Sequence, residues 1–167
     1  MEDAEAYLTP CGIPVGLPEL AVRYGSLDIH GQLSQFSRSQ DALQRAPSIN
    51  FKPSLGKCTL VFLDPDAPMR SGAGRPGACG PWLHWLVTDC EGAEVAGGRE
   101  QLSYMGPAPP RGNHRYIFVL FQQVGGSVAN PAGVERASWR FDNFVAANEA
   151  TLKPVAINFF YCSSLAI

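Results

Sequence analysis

The chain has 167 residues, a formal net charge of −2 and 46% hydrophobic residues. This is the size of one domain with a sizeable core, and the near-neutral charge without a basic run argues against a nucleic-acid surface. The 17 glycines and 14 prolines favour short strands and turns over helices.

Residues 1–19 are acidic, then rich in Pro and Gly, and read as an irregular arm with room for one short helical turn. No apolar stretch follows Met1 and no run is long enough to span a bilayer. Neither a signal peptide nor a membrane span is therefore expected, and a reducing cytoplasm is the default. Residues 20–24 read as a first strand turned at Gly25-Ser26, with residues 27–33 pairing back as a hairpin. Residues 34–48 are polar and read as a loop. Residues 49–52 read as a short strand before the turn at Pro53.

The segment Thr59-Leu60-Val61-Phe62-Leu63-Asp64-Pro65-Asp66-Ala67-Pro68 organises the rest. A short apolar run closed by turn formers is a buried strand, and the two prolines end its ladder. Asp64 then sits where a buried strand opens into a rigid turn, and a carboxylate there needs a partner. Asp66 is expected to cap the turn. Residues 71–81 form a Gly/Ala/Pro/Ser loop, with Arg70 just before it and Arg75 within it, that is either a functional rim or disordered.

Trp82-Leu83-His84-Trp85-Leu86-Val87 is apolar on both alternating faces, as in a central strand. Alternation places Trp82, His84 and Leu86 on one face, and likewise His114, Tyr116, Phe118 and Leu120. Gly97-Gly98 is a breaker. Residues 105–113 can form neither helix nor central strand, and they lead into a strand over residues 115–123. Phe141, Phe144 and Val145 recur at helical spacing, which predicts a helix over residues 139–150 with Asp142 as N-cap and Pro154 as its stop. Residues 155–161 read as a last strand. Five cysteines, with an odd count and no CxxC, argue against a disulfide framework or zinc module. Cys58, Cys90 and Cys162 lie in or beside apolar runs as core thiols, whereas Cys79 sits in the Gly-rich loop, where it can be exposed.

Three blocks in order carry a family resemblance: Asp64-Pro65-Asp66-Ala67-Pro68, then Trp82-Leu83-His84-Trp85-Leu86-Val87-Thr88-Asp89, then Tyr104-Met105-Gly106-Pro107-Ala108-Pro109-Pro110-Arg111-Gly112-Asn113-His114-Arg115-Tyr116. They resemble the signature blocks of the phosphatidylethanolamine-binding protein family, which includes animal Raf kinase inhibitor proteins and plant flowering regulators. The resemblance implies one domain over residues 1–167, mainly β (α+β). A central antiparallel sheet packs on a smaller sheet, with a few short peripheral helices. It also implies a small cavity for anions and phosphorylated head groups such as phosphorylethanolamine. From the first two blocks the cavity residues are Asp64, Ala67, Pro68, Trp82 and His84. From the third they are Met105, Gly106, Ala108, Pro109, His114 and Tyr116.

The chemistry of these residues is coherent in itself. A phosphate needs imidazole, hydroxyl and backbone N–H donors, and a Gly/Pro loop leaves its N–H groups free of any ladder. Gly106 permits close approach of a ligand. An ammonium can meet Asp64 or the face of Trp82. Asp64 is expected to orient His84 or His114 and favour the imidazolium. His30 lies in a polar stretch and reads as solvated.

Departures from the family pattern also count. The usual Arg-Glu or Arg-Asp pair ahead of the second block is here Gly80-Pro81. Proline lowers the cis penalty from roughly 2.5–4 to about 0.5–1 kcal/mol, which predicts a cis bond there. Residues 85–89 and Leu120-Phe121-Gln122-Gln123 are similar to the plant branch, and Tyr104-Met105-Gly106-Pro107 resembles its mother-of-flowering-locus-T type. Florigens bind 14-3-3 proteins partly through an arginine where this chain has Gln122, so a 14-3-3 complex is not expected.

Three functions compete. The leading one is a non-enzymatic, monomeric head-group-binding protein that regulates signalling partners such as a kinase. The second is a kinase or protease inhibitor, or a flowering-type co-regulator, with an incidental cavity. The third is a phosphoester hydrolase or metal site built on His84, His114 and Asp64. No metal-ligand spacing, nucleophile elbow or cofactor motif occurs, so neither a cofactor nor a metal is expected.

Overall fold

The computed structural model describes residues 1–68, 80–131 and 133–165. In chain order its strands are Ala21–Tyr24 (β1), Leu27–Asp28 (β2), Gln35–Ser37 (β3), Ser48–Asn50 (β4), Cys58–Asp64 (β5), Trp82–Cys90 (β6), Arg99–Leu102 (β7), Asn113–Gln123 (β8) and Leu152–Ser163 (β9). The helices are Glu2–Leu8 (α1) and Phe141–Ala147 (α2).

Hydrophobic alternation builds three layers. The large sheet runs β3-β9-β8-β5-β6-β7 and the small one β2-β1-β4. β5 is buried at every position, with β6 and β8 on its two sides. Its Leu60 and Phe62 pack with Val22, Tyr24 and Ile49 of the small sheet. Its Val61 and Leu63 pack under the helices, with Leu8, Phe141 and Phe144. Phe62 centres the inter-sheet core, stacked on Phe118 at 4.0 Å between ring centroids.

Several expectations need correction. The N-terminal arm is a helix over Glu2–Leu8. Glu2, Asp3 and Glu5 favour its positive end, and Ala4 and Leu8 bury one face against the sheet. The hairpin after Gly25 pairs only through Leu27 and Asp28, and a 3₁₀ turn follows at Gly31–Leu33. Residues 34–48 contain β3, which runs parallel to β9, so the large sheet is not wholly antiparallel. The edge strand β7, which carries Arg99 and Glu100, has no apolar alternation to announce it.

Helix α2 is shorter than expected. Its N-cap residue is Arg140 with no side-chain cap; Asp142 instead receives Arg140 at 2.7 Å. The helix ends at Asn148, not at Pro154, which lies inside β9. There β3 does not reach, so Pro154 deprives no neighbour of a donor. Gly80–Pro81 is cis, as the sequence leads one to expect, and so is Ala67–Pro68. Cys79, Arg70, Arg75 and most of the Gly-rich loop lie outside the described residues.

Candidate ligand cavity

Because β5 is antiparallel to both neighbours, the end of β5 and the starts of β6 and β8 meet at one edge of the sheet. Asp64, Trp82, His84 and Tyr116 meet there. A slip in the β5–β6 register, with Phe62 opposite Trp85 but Leu63 opposite Leu83, leaves His84 as the extra residue of a bulge. The bulge breaks the expected alternation. His84 and Trp85 both turn toward the inter-sheet core, while Leu86 packs under the helices.

The cavity at this edge has a volume of about 280 Å³. Its walls are Asp64, Ala67, Pro68, Trp82, His84, Met105, Ala108, Pro110 and Tyr116. Eight of the eleven sequence candidates are thus brought together. Gly106, Pro109 and His114 lie outside the lining, and Pro110 is added to it. None of the lining residues is a lysine or arginine.

His114 stands behind the wall, fully buried, as the partner of Asp64. Its Nδ1 is 2.7 Å from Asp64 Oδ2 and its Nε2 is 2.7 Å from the Arg111 carbonyl. A carbonyl only accepts, so Nε2 carries a proton. Burial pulls the His114 pKa down, but the hydrogen bond and charge of Asp64 and the Arg111 carbonyl outweigh it, and the net shift is upward. Asp64 and the Arg111 carbonyl therefore favour the imidazolium, with both N–H groups used. Asp64 Oδ1 accepts from the Asp66 N–H at 2.7 Å, so Asp64 rather than Asp66 caps the turn. Asp66 instead takes Arg115 at 2.8 and 3.0 Å, and Arg115 Nη1 reaches the Asp3 carbonyl at 2.9 Å. The wall is thereby tied to α1.

His84 differs. Its Nδ1–H donates to the Met105 carbonyl at 2.7 Å, and the Met105 N–H donates back to the His84 carbonyl at 2.9 Å. Burial pulls the His84 pKa down more than the Met105 carbonyl and Asp64 raise it, so the ring is neutral. Nε2 has no hydrogen-bond partner among the described residues, and it is left for the cavity. The two histidines thus clamp the loop 105–111 at its two ends. Burial and the Asp64 charge push the Tyr116 hydroxyl up, so it stays protonated. Trp82 Nε1–H is buried with no acceptor among the described residues, a condition that costs about 1–3 kcal/mol.

Sequence reading missed the residues that hold the loop in place. Arg136 Nη1 donates to the carbonyls of Leu83 (3.1 Å) and His84 (2.9 Å), and Nη2 donates to that of Ser103 (2.8 Å). Tyr104 donates to the Leu43 carbonyl at 2.7 Å and accepts from Tyr24 at 2.7 Å. Gln44 Nε2 donates to the Pro107 carbonyl at 2.9 Å. Gly106 is needed for Gln44 rather than for a ligand, since a Cβ there would lie 2.4 Å from Gln44 Oε1. No local pattern marks Arg136 or Gln44; Arg136 sits in a loop and Gln44 ends a 3₁₀ turn over Asp41–Gln44. Trp85 is core, with Nε1 donating to Glu100 at 2.8 Å. Gln122 donates to the Leu55 carbonyl at 3.1 Å. Among the described residues no group of three or more His, Cys, Asp or Glu side chains could hold a metal ion, and no helix is long and apolar enough to cross a membrane.

The family model for phosphatidylethanolamine-binding protein matches residues 26–160. The chain belongs to that family. Relatives include SELF-PRUNING of Solanum lycopersicum, 37% identical over 109 residues, which are 62% of this chain and 57% of the relative. MOTHER of FT and TFL1 homolog 2 of Oryza sativa subsp. japonica is 34% identical over 106 residues, 60% of this chain and 58% of the relative. The matched part therefore spans less than two thirds of either relative. Among solved structures, a carboxypeptidase Y inhibitor complexed with its cognate proteinase superposes with a TM-score of 0.72 at 23% identity, covering 98% of this chain and 93% of that one. The phosphatidylethanolamine-binding protein of Plasmodium vivax gives 0.71 at 19% identity, covering 98% and 96%. These two establish the shared phosphatidylethanolamine-binding protein fold.

Proposed function

We propose that this member of the phosphatidylethanolamine-binding protein family is a non-enzymatic binding module. Its cavity takes a small zwitterionic head group of the phosphorylethanolamine type, and its surface regulates other proteins. The observation that carries the reading is His84 Nε2, which has no hydrogen-bond partner among the described residues and stands on the wall of one small cavity, beside Trp82, whose buried Nε1–H has no acceptor among them. In the neutral ring His84 Nε2 accepts, and once protonated it donates to an anionic ligand. The head-group ammonium would lie toward Asp64 and the Trp82 face. With no lysine or arginine on the lining, the charge facing a phosphate comes from protonating His84. At about 280 Å³ the cavity falls just below the usual small-molecule range of about 300–1,000 Å³, which suits a head group rather than a whole phospholipid.

The same geometry weighs against a hydrolase or metal site on these residues. His114 has no nitrogen left to ligate a metal or move a proton, and Asp64 is held by two donors. The regulatory half of the reading is supported by the likeness to SELF-PRUNING and MOTHER of FT and TFL1 homolog 2. Calorimetric titration with phosphorylethanolamine, with inorganic phosphate for comparison, tests the ligand. Saturable binding lost in His84→Ala is the expected result. Equal binding by wild type and His84→Ala would refute the role of the cavity.

A further inference from the structure

A second, larger opening shares no residue with the cavity. It lies between the two sheets, further along β8 at Leu120 and beside the start of β9. Its volume is about 650 Å³. The floor is Leu20, Leu120 and Ala156, with Phe51, Leu55 and Val155 as walls. The fold holds it open in two ways. The β8–β9 register slips between Leu120 and Phe121, so that Leu120 faces Ala156 and Phe121 faces Pro154, and Val155 bulges. The segment before β1 is pinned along β9 by Leu20 N–H to the Ile157 carbonyl (2.8 Å) and Ile157 N–H to the Pro18 carbonyl (3.0 Å).

Two lysines, Lys52 and Lys153, stand on the rim of this apolar floor. Two other exposed cations are matched by carboxylates, Arg23 by Asp28 at 3.5 Å and Lys57 by Glu91 at 3.6 Å. Neither Lys52 nor Lys153 has an ion pair among the described residues. The one carboxylate on the lining, Glu19, is already engaged by His30 Nδ1 at 2.7 Å. Apolar floor and unmatched positive rim together define the complement: an apolar chain ending in a negative charge.

We infer that this groove binds an amphipathic carboxylate of the fatty-acid class. The chain lies on Leu20, Leu120 and Ala156, and the carboxylate meets Lys52 and Lys153. This goes beyond the head-group reading and does not depend on it.

The test is calorimetric titration with dodecanoate below its micellar range, against dodecanol and dodecyltrimethylammonium of equal chain length. One equivalent of dodecanoate should bind saturably, and the cationic amphiphile should not. The double variant K52A/K153A, altered only at exposed positions, should bind about tenfold more weakly. Octanoate should bind more weakly still, by about two- to fourfold per methylene lost from a one-sided groove. His84→Ala, and protein saturated with phosphorylethanolamine, should bind dodecanoate unchanged, which separates this site from the cavity. The inference is overturned if dodecanol binds as well as dodecanoate, if binding exceeds one equivalent without saturating, or if K52A/K153A has no effect. Loss of dodecanoate binding in His84→Ala would overturn it too.

Discussion

His84 and His114 stand on the two strands that flank β5, both buried and both hydrogen-bonded, yet they differ in the second ring nitrogen. In His114 it donates to the Arg111 carbonyl while Asp64 holds the first. In His84 only Nδ1 is used among the described residues. Aromatic packing is common to both, since each ring lies against Tyr116, at 5.2 Å for His84 and 6.2 Å for His114. Burial and a hydrogen bond therefore do not make a binding residue. The unspent nitrogen does. His114 acts as a charged structural brace and His84 as the variable group.

The largest effect should come from removing the brace. Asp64→Ala strands the His114 cation in the core and frees the 64–66 turn, and breaking such a buried pair costs about 3–5 kcal/mol. Urea unfolding measures this directly; a loss under about 1 kcal/mol would mean the pair is not structural. The folded pKa of His114 lies above its ordinary 6.5. Its contribution is complete below that unfolded value and fades as pH rises through the raised folded value. The gap in stability between wild type and Asp64→Ala should accordingly narrow from pH 6 toward alkaline pH.

Gly106→Ala comes next. The new methyl group meets Gln44 Oε1 at 2.4 Å and Gln44 Cα at 2.9 Å, an overpacking that costs about 1–3 kcal/mol. Thermal unfolding reads the loss, and weaker head-group binding should accompany it because the 105–111 loop moves.

The variable histidine gives a linkage of opposite sense. His84 is neutral in the free protein because burial holds its pKa below the ordinary 6.5. A bound phosphate raises that pKa, so binding takes up a proton. Affinity for glycerophosphorylethanolamine, whose phosphodiester does not titrate in this range, should rise as pH falls from 8, by at most about tenfold per unit. It should level off once the free protein charges His84. A flat profile would exclude proton uptake at this site. The smallest effect is expected from Gln44→Ala, which removes one hydrogen bond to the Pro107 carbonyl. It should cost about 1 kcal/mol of stability in denaturant.

The residues that repeat a pattern were readable from the sequence, and those that complete it from afar were not. The buried run of β5, the shared face of Tyr116, Phe118 and Leu120, and the cis bond at Gly80–Pro81 all follow from local order in the chain. Three blocks in sequence sufficed to suggest the family and eight of the cavity walls. The bulge at His84 was not legible, because a register slip depends on the partner strand. Which histidine Asp64 would hold was open for the same reason. Arg136 and Gln44 act across 52 and 63 residues of sequence, with no periodicity to mark them. The edge strands β3 and β7 are polar because an edge is half solvated, and that is what hides them.

One histidine is spent and the other is open. Nitrogen-15 NMR of the imidazole rings at pH 7, with and without phosphorylethanolamine, tests it most directly. Free His84 should be the neutral ring protonated at Nδ1 and should turn to imidazolium when ligand is added. His114 should be doubly protonated in both states and unmoved. A neutral His114 that responds to ligand beside an indifferent His84 would reverse these roles.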